Sequence, residues 1–339
     1  MELKKAIERI VNLKNLSEDE AYRVALKIMS GEATDAQIAA ILISLRLKGE
    51  TIDEITGFVR AMRERAVRVE CEGEPVVDTC GTGGDRSGTF NVSTLSAIVA
   101  AGAGCYVAKH GNRAVSSMCG SADLLTELGV RVEIAPELIK RCIDENGIGF
   151  LYAPALHRAM KHAIGPRREM GVRTLFNLIG PLTNPAGAKH QLIGVFNINL
   201  SETLVNVLKR LGSEHIMVVH GEDGLDEITI TARTHVCELV DNKIKRYTLA
   251  PEDFGLKRAS LEEVRGGDSV KNAEIAMAVL LGQGGPCRDL VLMNAGAVIY
   301  LSGNADSIKN GIGMAEESID SGMALKKLEG LKEITNSEK

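Results

Sequence analysis

The chain of 339 residues has no tryptophan and only five tyrosines and six phenylalanines, so the aromatic platforms on which single-stranded nucleic acid stacks are scarce. A strong charge of either sign is missing too. Forty basic against 45 acidic residues leave a formal −5, which argues against an unspecific electrostatic grip on nucleic acid or on an anionic membrane. An anionic ligand must therefore be met by local basic groups. No stretch reaches the roughly 18 apolar residues of a membrane span, and the opening MELKKAIERIV alternates charged with apolar residues instead of forming a signal-peptide core. The expectation is a soluble protein that is not secreted. Seven cysteines, at 71, 80, 105, 119, 142, 237 and 287, contain no Cys-x-x-Cys pair. That removes the usual zinc and dithiol spacings, and the scattered odd number reads as reduced thiols in the cytoplasm. What remains, 45% apolar and 25% charged, is ordinary globular composition, sufficient for one large domain or a large one with a small companion.

Glycine is plentiful, and it concentrates in DTCGTGGDRSGTFNVST, residues 78–94. Gly81, Gly83, Gly84 and Gly88 fall within eight positions there, interleaved with Asp85, Thr89, Asn91, Ser93 and Thr94. Glycine lets main-chain N–H groups approach an anion closely, and a helix beginning near Ser93 adds its positive end. The P-loop is ruled out because no Gly-Lys-Ser/Thr follows, and Arg86 stands where the dinucleotide fingerprint from Gly81 needs a small residue. A tight strand-to-helix turn explains one or two glycines. Four amid so many donors read as an anion cradle.

Residues 1–70 read as all helix. Capping boxes pair Ser17 with Glu20, Thr34 with Gln37 and Thr51 with Glu54, and Gly31 and Gly49 sit where the first two of these helices should stop. Apolar residues recur at helical spacing at Ile38, Ile41, Leu42 and Leu45, and again at Ile55, Phe58, Val59 and Met62. No cluster of titratable groups marks this unit for chemistry. From Pro75 the pattern changes to strands alternating with helices, which implies a parallel sheet with right-handed crossovers. Short strands are expected at Val76–Val77, Cys105–Ala108, Val130–Ile134, Gly149–Tyr152, Leu192–Ile198 and Ile216–Val219, with helical spacing in the tail from Ser269. Ligands of such sheets lie beyond the carboxyl ends of the strands. The glycine-rich loop and a second loop, from Lys109 to Met118, should therefore face one site.

That second loop, with the residues after it, reads KHGNRAVSSMCGSAD. Lys109, His110 and Arg113 offer cationic or donor groups, while Asn112, Ser116, Ser117 and Ser121 offer neutral ones. Lys109 and His110 could each be simply solvated or structural. In GEDGLDEIT, Asp226 and Glu227 are hard oxygen ligands of the type Mg²⁺ takes in ones and twos, completing its shell with water and phosphate oxygens. Alone they would be a solvated acidic turn; opposite a phosphate cradle the metal reading is better. Glu222 and Asp223 read as exposed turn residues. In the basic stretch of residues 157–174, Arg158, Lys161 and Arg168 read as solvated. Arg167, expected just past a break at Gly165-Pro166, can aim its guanidinium fork at a carboxylate.

Together DTCGTGGD, NVST, KHGNRAVSS-x-x-GSAD, RRE-x-G-x-RT-x-FN-x-x-GPLTNP and GLDE resemble the anthranilate phosphoribosyltransferases over nearly the whole chain. The resemblance implies an α/β fold: a small all-helical N-terminal domain, residues 1–70 completed by a segment near 163–187, plus a large α/β domain of residues 71–162 and 188–339. The large domain would carry a mainly parallel central sheet flanked by helices. It implies a binding site for 5-phosphoribosyl 1-diphosphate at Gly81, Gly84, Asp85, Thr89, Asn91, Val92, Ser93 and Thr94. Lys109, His110, Gly111, Asn112, Arg113, Ala114, Val115, Ser116, Ser117 and Ser121 would complete that site. Anthranilate would meet Gly81, Asn112 and Arg167, with His110, His157 and Pro181 near its channel, and Mg²⁺ would sit on Ser93, Asp226 and Glu227. A homodimer joined through the helical domain is implied, with no dedicated acid or base among the catalytic groups, no nucleic acid and no membrane. The alternatives are a pyrimidine nucleoside phosphorylase, which shares the fold, and a non-catalytic nucleic-acid-binding relative.

Overall fold

The computed structural model describes residues 1–83, 87–114 and 118–337. Helices α1 (Leu3–Val11), α2 (Glu18–Met29), α3 (Asp35–Lys48) and α4 (Ile52–Arg65) begin the chain. The three expected capping boxes form at the starts of α2, α3 and α4, and α3 ends at Gly49 with φ +87. Each box satisfies two main-chain donors that the helix itself leaves orphaned. α2 and α4 pack together, and α1 lies on α3. Between them Glu54, fully buried, accepts from the main-chain N–H of Leu16 at 3.0 Å and of Thr51 at 2.9 Å, and from Lys48 Nζ at 2.8 Å.

Among the described residues one seven-stranded sheet follows, in the order β3-β2-β1-β4-β5-β6-β7. Its strands are β1 (Val76–Gly81), β2 (Tyr106–Gly111), β3 (Ile148–Tyr152), β4 (His190–Gly194), β5 (His215–Gly221), β6 (Thr234–Val240) and β7 (Lys243–Leu249). Pairing is parallel from β3 through β5 and antiparallel for β6 and β7. Helices α5 (Val92–Gly102), α6 (Ser121–Glu127), α7 (Pro136–Asn146) and α11 (Asn199–Arg210) connect the parallel strands, with α8 (Ala153–Leu156), α9 (Lys161–Met170) and α10 (Leu175–Leu178) between β3 and β4. The tail forms α12 (Ser269–Leu280), α13 (Pro286–Leu301), α14 (Ile308–Asp320) and α15 (Met323–Asn336).

Neighbouring residues along β4 and β5 point to opposite faces, as strand geometry requires. Leu192 and Met217 join the core under α5 and α13, while Ile193 and Val218 join a core continuous with α1 to α4. Small residues let α5, α13, α14 and α15 approach closely: a Cβ on Gly311 would strike the Gly296 main chain. Segments 163–182 also belong to the second core, and α9 packs on α2 and α3.

Several expected elements differ. β1 runs four residues past Val77, because buried Asp78, Thr79 and Cys80 continue its pairing with β4. β2 continues to Gly111, so Lys109, His110 and Gly111 belong to a strand and not to the loop. Residues 130–134 are no strand; Val130 and Val132 are buried, but the Arg131 N–H bonds to Thr335 Oγ1 of α15. β4 ends at Gly194 instead of reaching Ile198. No break occurs at Gly165-Pro166, since α9 runs through both. Strands β6 and β7 had no counterpart in the sequence reading.

Candidate functional site

The carboxyl ends of parallel β1, β2 and β4 share one edge of the sheet, and the site is built there. After β1 the chain turns with Thr82 N–H on Gly194 O at 2.9 Å and Gly83 N–H on Asp226 Oδ2 at 2.9 Å. Gly83 and Gly88 take φ of +70 and +71, which L side chains adopt only with strain. A Cβ on Gly81 would overlap Asp226 Oδ2, and one on Gly194 would overlap the Asp226 carbonyl. Glycine at both strand ends is thus what admits the acidic loop beside the cradle. Asn91 is the N-cap of α5, and half-buried Ser93 and buried Thr94 form its first turn. The helix therefore presents its positive end to the loop. Gly84 and Asp85 lie outside the described residues.

The second wall is less solvated than its composition suggests. Lys109 and His110 are buried at 2% and 5% exposure. Beneath them Asp78, fully buried, accepts from the His110 main-chain N–H at 3.0 Å, with Gln191 Nε2 at 3.4 Å from its other oxygen. Burial raises the Asp78 carboxyl above its usual range, opposed by the charge of Lys109 and by a hydrogen bond from Asn184. Lys109 Nζ donates to His110 O at 3.3 Å. The chain then emerges at Gly111, with Asn112 and Arg113 exposed. Arg113 pairs with Asp123 at 3.0 Å, and the N–H groups of Ala114 and Gly120 close the loop on Asp123 Oδ2. Ser121 opens α6 and is half-buried. Val115, Ser116 and Ser117 lie outside the described residues.

A third element closes the edge. In the turn at Gly180–Thr183 the main-chain carbonyl of Gly180 accepts from the His110 imidazole and that of Thr183 from the His157 imidazole. The rings lie 5.2 Å apart and are tilted by 57°. Among the described residues neither buried Nε2 has a hydrogen-bond partner, and neither do the buried Thr82 Oγ1 and Thr94 Oγ1. Burial pushes His157 down to about 4 and His110 well below the usual histidine range, so both rings are neutral at pH 7. The same turn accepts Arg63 Nε of α4 on Leu182 O at 2.8 Å, and burial lowers that guanidinium to about 10. On α9, half-buried Arg167 stacks over Phe176 at 5.5 Å, just ahead of the turn. Arg158, Lys161 and Arg168 are exposed, as expected.

Buried polar atoms without partners cost free energy unless a ligand meets them. Such atoms at Thr82 after β1, at Thr94 in the first turn of α5 and on the paired rings of His110 and His157 suit an anion with a polar organic neighbour. Asp226 is 9% exposed and Glu227 half-buried, and the N–H of the next residue, fully buried Ile228, is held by Asn294 Oδ1 at 2.9 Å. Asp223 is also more than an exposed turn residue, accepting from Leu225 N–H at 3.1 Å and from Thr229 Oγ1 at 2.5 Å. The sequence reading missed Asp78, Asn184 and Gln191. For Asp78 and Gln191 a polar residue within an apolar strand segment was the available signal; Asn184 lies in the turn segment before β4.

The model of the glycosyl transferase family helical bundle domain matches residues 4–66, and that of the glycosyl transferase family a/b domain matches residues 73–325. The anthranilate phosphoribosyltransferase of Acetivibrio thermocellus is 52% identical over 335 residues, 99% of this chain and 97% of the relative. The chain belongs to the anthranilate phosphoribosyltransferase family. Its relative from Moorella thermoacetica is 55% identical over 97% of both chains. Among solved structures, the family's enzyme from Thermus thermophilus superposes with a TM-score of 0.93 at 44% identity, covering 97% of this chain and 99% of that one. The Saccharomyces cerevisiae enzyme in complex with PRPP and Mg gives 0.91 at 29% identity, covering 99% and 98%. These matches do not favour the nucleoside phosphorylase or nucleic-acid alternatives. The small helical unit and the larger α/β unit with a mostly parallel sheet are those of the family.

Proposed function

We propose that the chain transfers the phosphoribosyl group of 5-phosphoribosyl 1-diphosphate to the amine of anthranilate, giving N-(5-phosphoribosyl)anthranilate and pyrophosphate, a step of tryptophan biosynthesis. The observation that carries this reading is the set of buried, unpartnered donors and acceptors around the glycine loop in a chain about half identical to these enzymes over its full length. The diphosphate would lie on the amides and hydroxyls of Gly81, Gly84, Asp85, Thr89, Asn91, Val92, Ser93 and Thr94. Lys109, His110, Gly111, Asn112, Arg113, Ala114, Val115, Ser116, Ser117 and Ser121 would complete its enclosure. Anthranilate would enter between Asn112 and Arg167, past Gly81, His110, His157 and Pro181, its carboxylate toward the guanidinium.

Mg²⁺ fits the donors present. Ser93, Asp226 and Glu227 supply hard oxygens beside the cradle, of the kind Mg²⁺ takes in ones and twos while it completes its shell with water and phosphate oxygens. When bound, it draws charge onto the leaving diphosphate. The loop amides and Lys109 share that charge as the C1–O bond breaks. The anthranilate amine, mostly neutral at pH 7, then attacks C1, so no dedicated general base is needed. The neutral imidazoles of His110 and His157 can hydrogen-bond the amine without adding a cation near C1. Positioning and electrostatic stabilisation supply the rate.

The domain assignment is residues 1–70 with 163–187, and 71–162 with 188–339; packing of α9 on α2 and α3 supports it. A homodimer through the helical domain is supported by Leu13 and Leu47, apolar residues of that domain exposed at 71% and 81%. Free cysteines suit the cytoplasm, and no helix of the described residues is long and apolar enough to cross a membrane. Incubation with anthranilate, 5-phosphoribosyl 1-diphosphate and Mg²⁺ tests the reaction. Stoichiometric phosphoribosylanthranilate and pyrophosphate are expected; phosphorolysis of thymidine with no such product would overturn it.

A further inference from the structure

Residues far along the chain lie across the glycine-rich loop. Val264 O accepts from the Phe90 N–H at 3.4 Å, the Gly266 N–H donates to Gly88 O at 2.9 Å, and Thr89 forms an antiparallel bridge with Arg265. The approach is so close that a Cβ on Gly266 would stand 2.7 Å from Phe90 N and Cα and 2.8 Å from Thr89 O. Three residues into α12, Asn272 is 2% exposed and uses both ends of its carboxamide. Its Nδ2 donates to the carbonyls of Gly267 and Asp268, both at 2.9 Å, which leaves Oδ1 to accept the Asn91 main-chain N–H, also at 2.9 Å. Asn91 in turn donates from Nδ2 to Cys119 O at 3.1 Å, on the far side of the second loop.

We propose that Asn272 is a positioning residue for the diphosphate site. Its carboxamide orients the Asn91 N-cap, and through Asn91 it couples the glycine-rich loop to the loop that ends at α6. The reasoning is one of donor direction. The bonds to Gly267 and Asp268 fix which end of the amide is nitrogen, so the oxygen can face only the Asn91 N–H. Asn91 makes no side-chain cap of its own helix, so its amide is spent on linking the two walls. With its N–H and Nδ2 both engaged, its Oδ1 and the first-turn amides of α5 are aimed at the diphosphate. The segment 264–267 adds a main-chain strap that holds residues 88–90 against α12. This rests on the assignment of Asn91 to the diphosphate.

The test compares Asn272→Ala, Gly266→Ala and Asn91→Ala with the unaltered enzyme. KM for 5-phosphoribosyl 1-diphosphate, KM for anthranilate, inhibition by inorganic pyrophosphate and thermal midpoint are measured for each. Leaving the Asn91 N–H unpaired should raise the KM for the diphosphate substrate, and the pyrophosphate inhibition constant, roughly tenfold in Asn272→Ala. KM for anthranilate should stay within about twofold, and Gly266→Ala should move the same two constants in the same direction. A merely structural role would lower the thermal midpoint while leaving the KM for the diphosphate substrate unchanged, or would change both KM values together, and either result overturns the proposal. If Asn91→Ala weakens the diphosphate substrate while Asn272→Ala and Gly266→Ala do not, the assignment of Asn91 stands and the positioning role falls. If none of the three affects it, both fall. Should Asn272→Ala fail to fold, Asn272→Ser, which retains an acceptor, decides by the same two constants.

Discussion

The molecule buries charge in two places, and it treats them differently. In the helical unit Glu54 is surrounded by donors: two main-chain N–H groups, the Thr51 hydroxyl and Lys48 Nζ, with the lysine 5% exposed. At the carboxyl edge of the sheet, Asp78 and Lys109 are as deeply buried, but the neighbouring His110 and His157 keep an unpartnered nitrogen each, and Thr82 and Thr94 an unpartnered hydroxyl. The first cluster is complete by itself and belongs to stability. The second leaves polar groups for a ligand to meet, as a functional site does.

The comparison breaks most visibly if the acidic loop is neutralised. Asp226→Asn with Glu227→Gln should cut turnover on the order of 10³-fold, with the thermal midpoint little changed. Unchanged Mg²⁺ dependence in steady-state assays would remove the metal assignment. Glu54→Gln should do the reverse. Stranding Lys48 without its carboxylate costs about 3 kcal/mol, read by urea unfolding, while kcat/KM at a temperature where the variant is folded stays near that of the unaltered enzyme.

A pH series sharpens the contrast further. An unfolded His157 titrates near the ordinary histidine value of 6.5 and the folded one at about 4, so between those values the unfolded chain binds the extra proton. Stability is therefore whole above pH 6.5 and is lost as pH falls toward 4, by about 3 kcal/mol from this residue. His157→Gln should flatten that fall in thermal melts; an unaltered slope would show that the imidazole is not buried neutral. Smallest, Arg167→Lys exchanges a planar fork for a point charge and should raise the KM for anthranilate roughly tenfold while sparing the other substrate.

The fold was largely legible because its signals are local. Capping boxes at Ser17, Thr34 and Thr51 are hydrogen-bond patterns closed within four residues, and they form as read. The pairing of Asp226 with the glycine loop was also anticipated from their common place after strands. What escaped was set at long range. Asp78 looked like the start of a loop because a carboxylate in a central strand is costly; its compensation comes from Gln191 and Asn184, more than a hundred residues away. Lys109 and His110 read as loop donors for the same reason. Pro166 suggested a break, yet α9 tolerates it inside a helix packed against α2 and α3. Residues 130–134 had strand composition, but their main chain found a partner in α15 and not in the sheet.

The most direct test of the difference between the two buried clusters is Lys109→Met, a substitution of similar length that removes the charge and the hydrogen bond to His110 O. Thermal unfolding should be measured with and without 5-phosphoribosyl 1-diphosphate and Mg²⁺. Because the charge of Lys109 supports buried Asp78, the variant should melt below the unaltered protein in the absence of substrate, and the stabilisation by substrate should vanish. A variant that melts well below the unaltered protein yet keeps its substrate-induced stabilisation would contradict the account, because Lys109 would then serve the fold as Lys48 does.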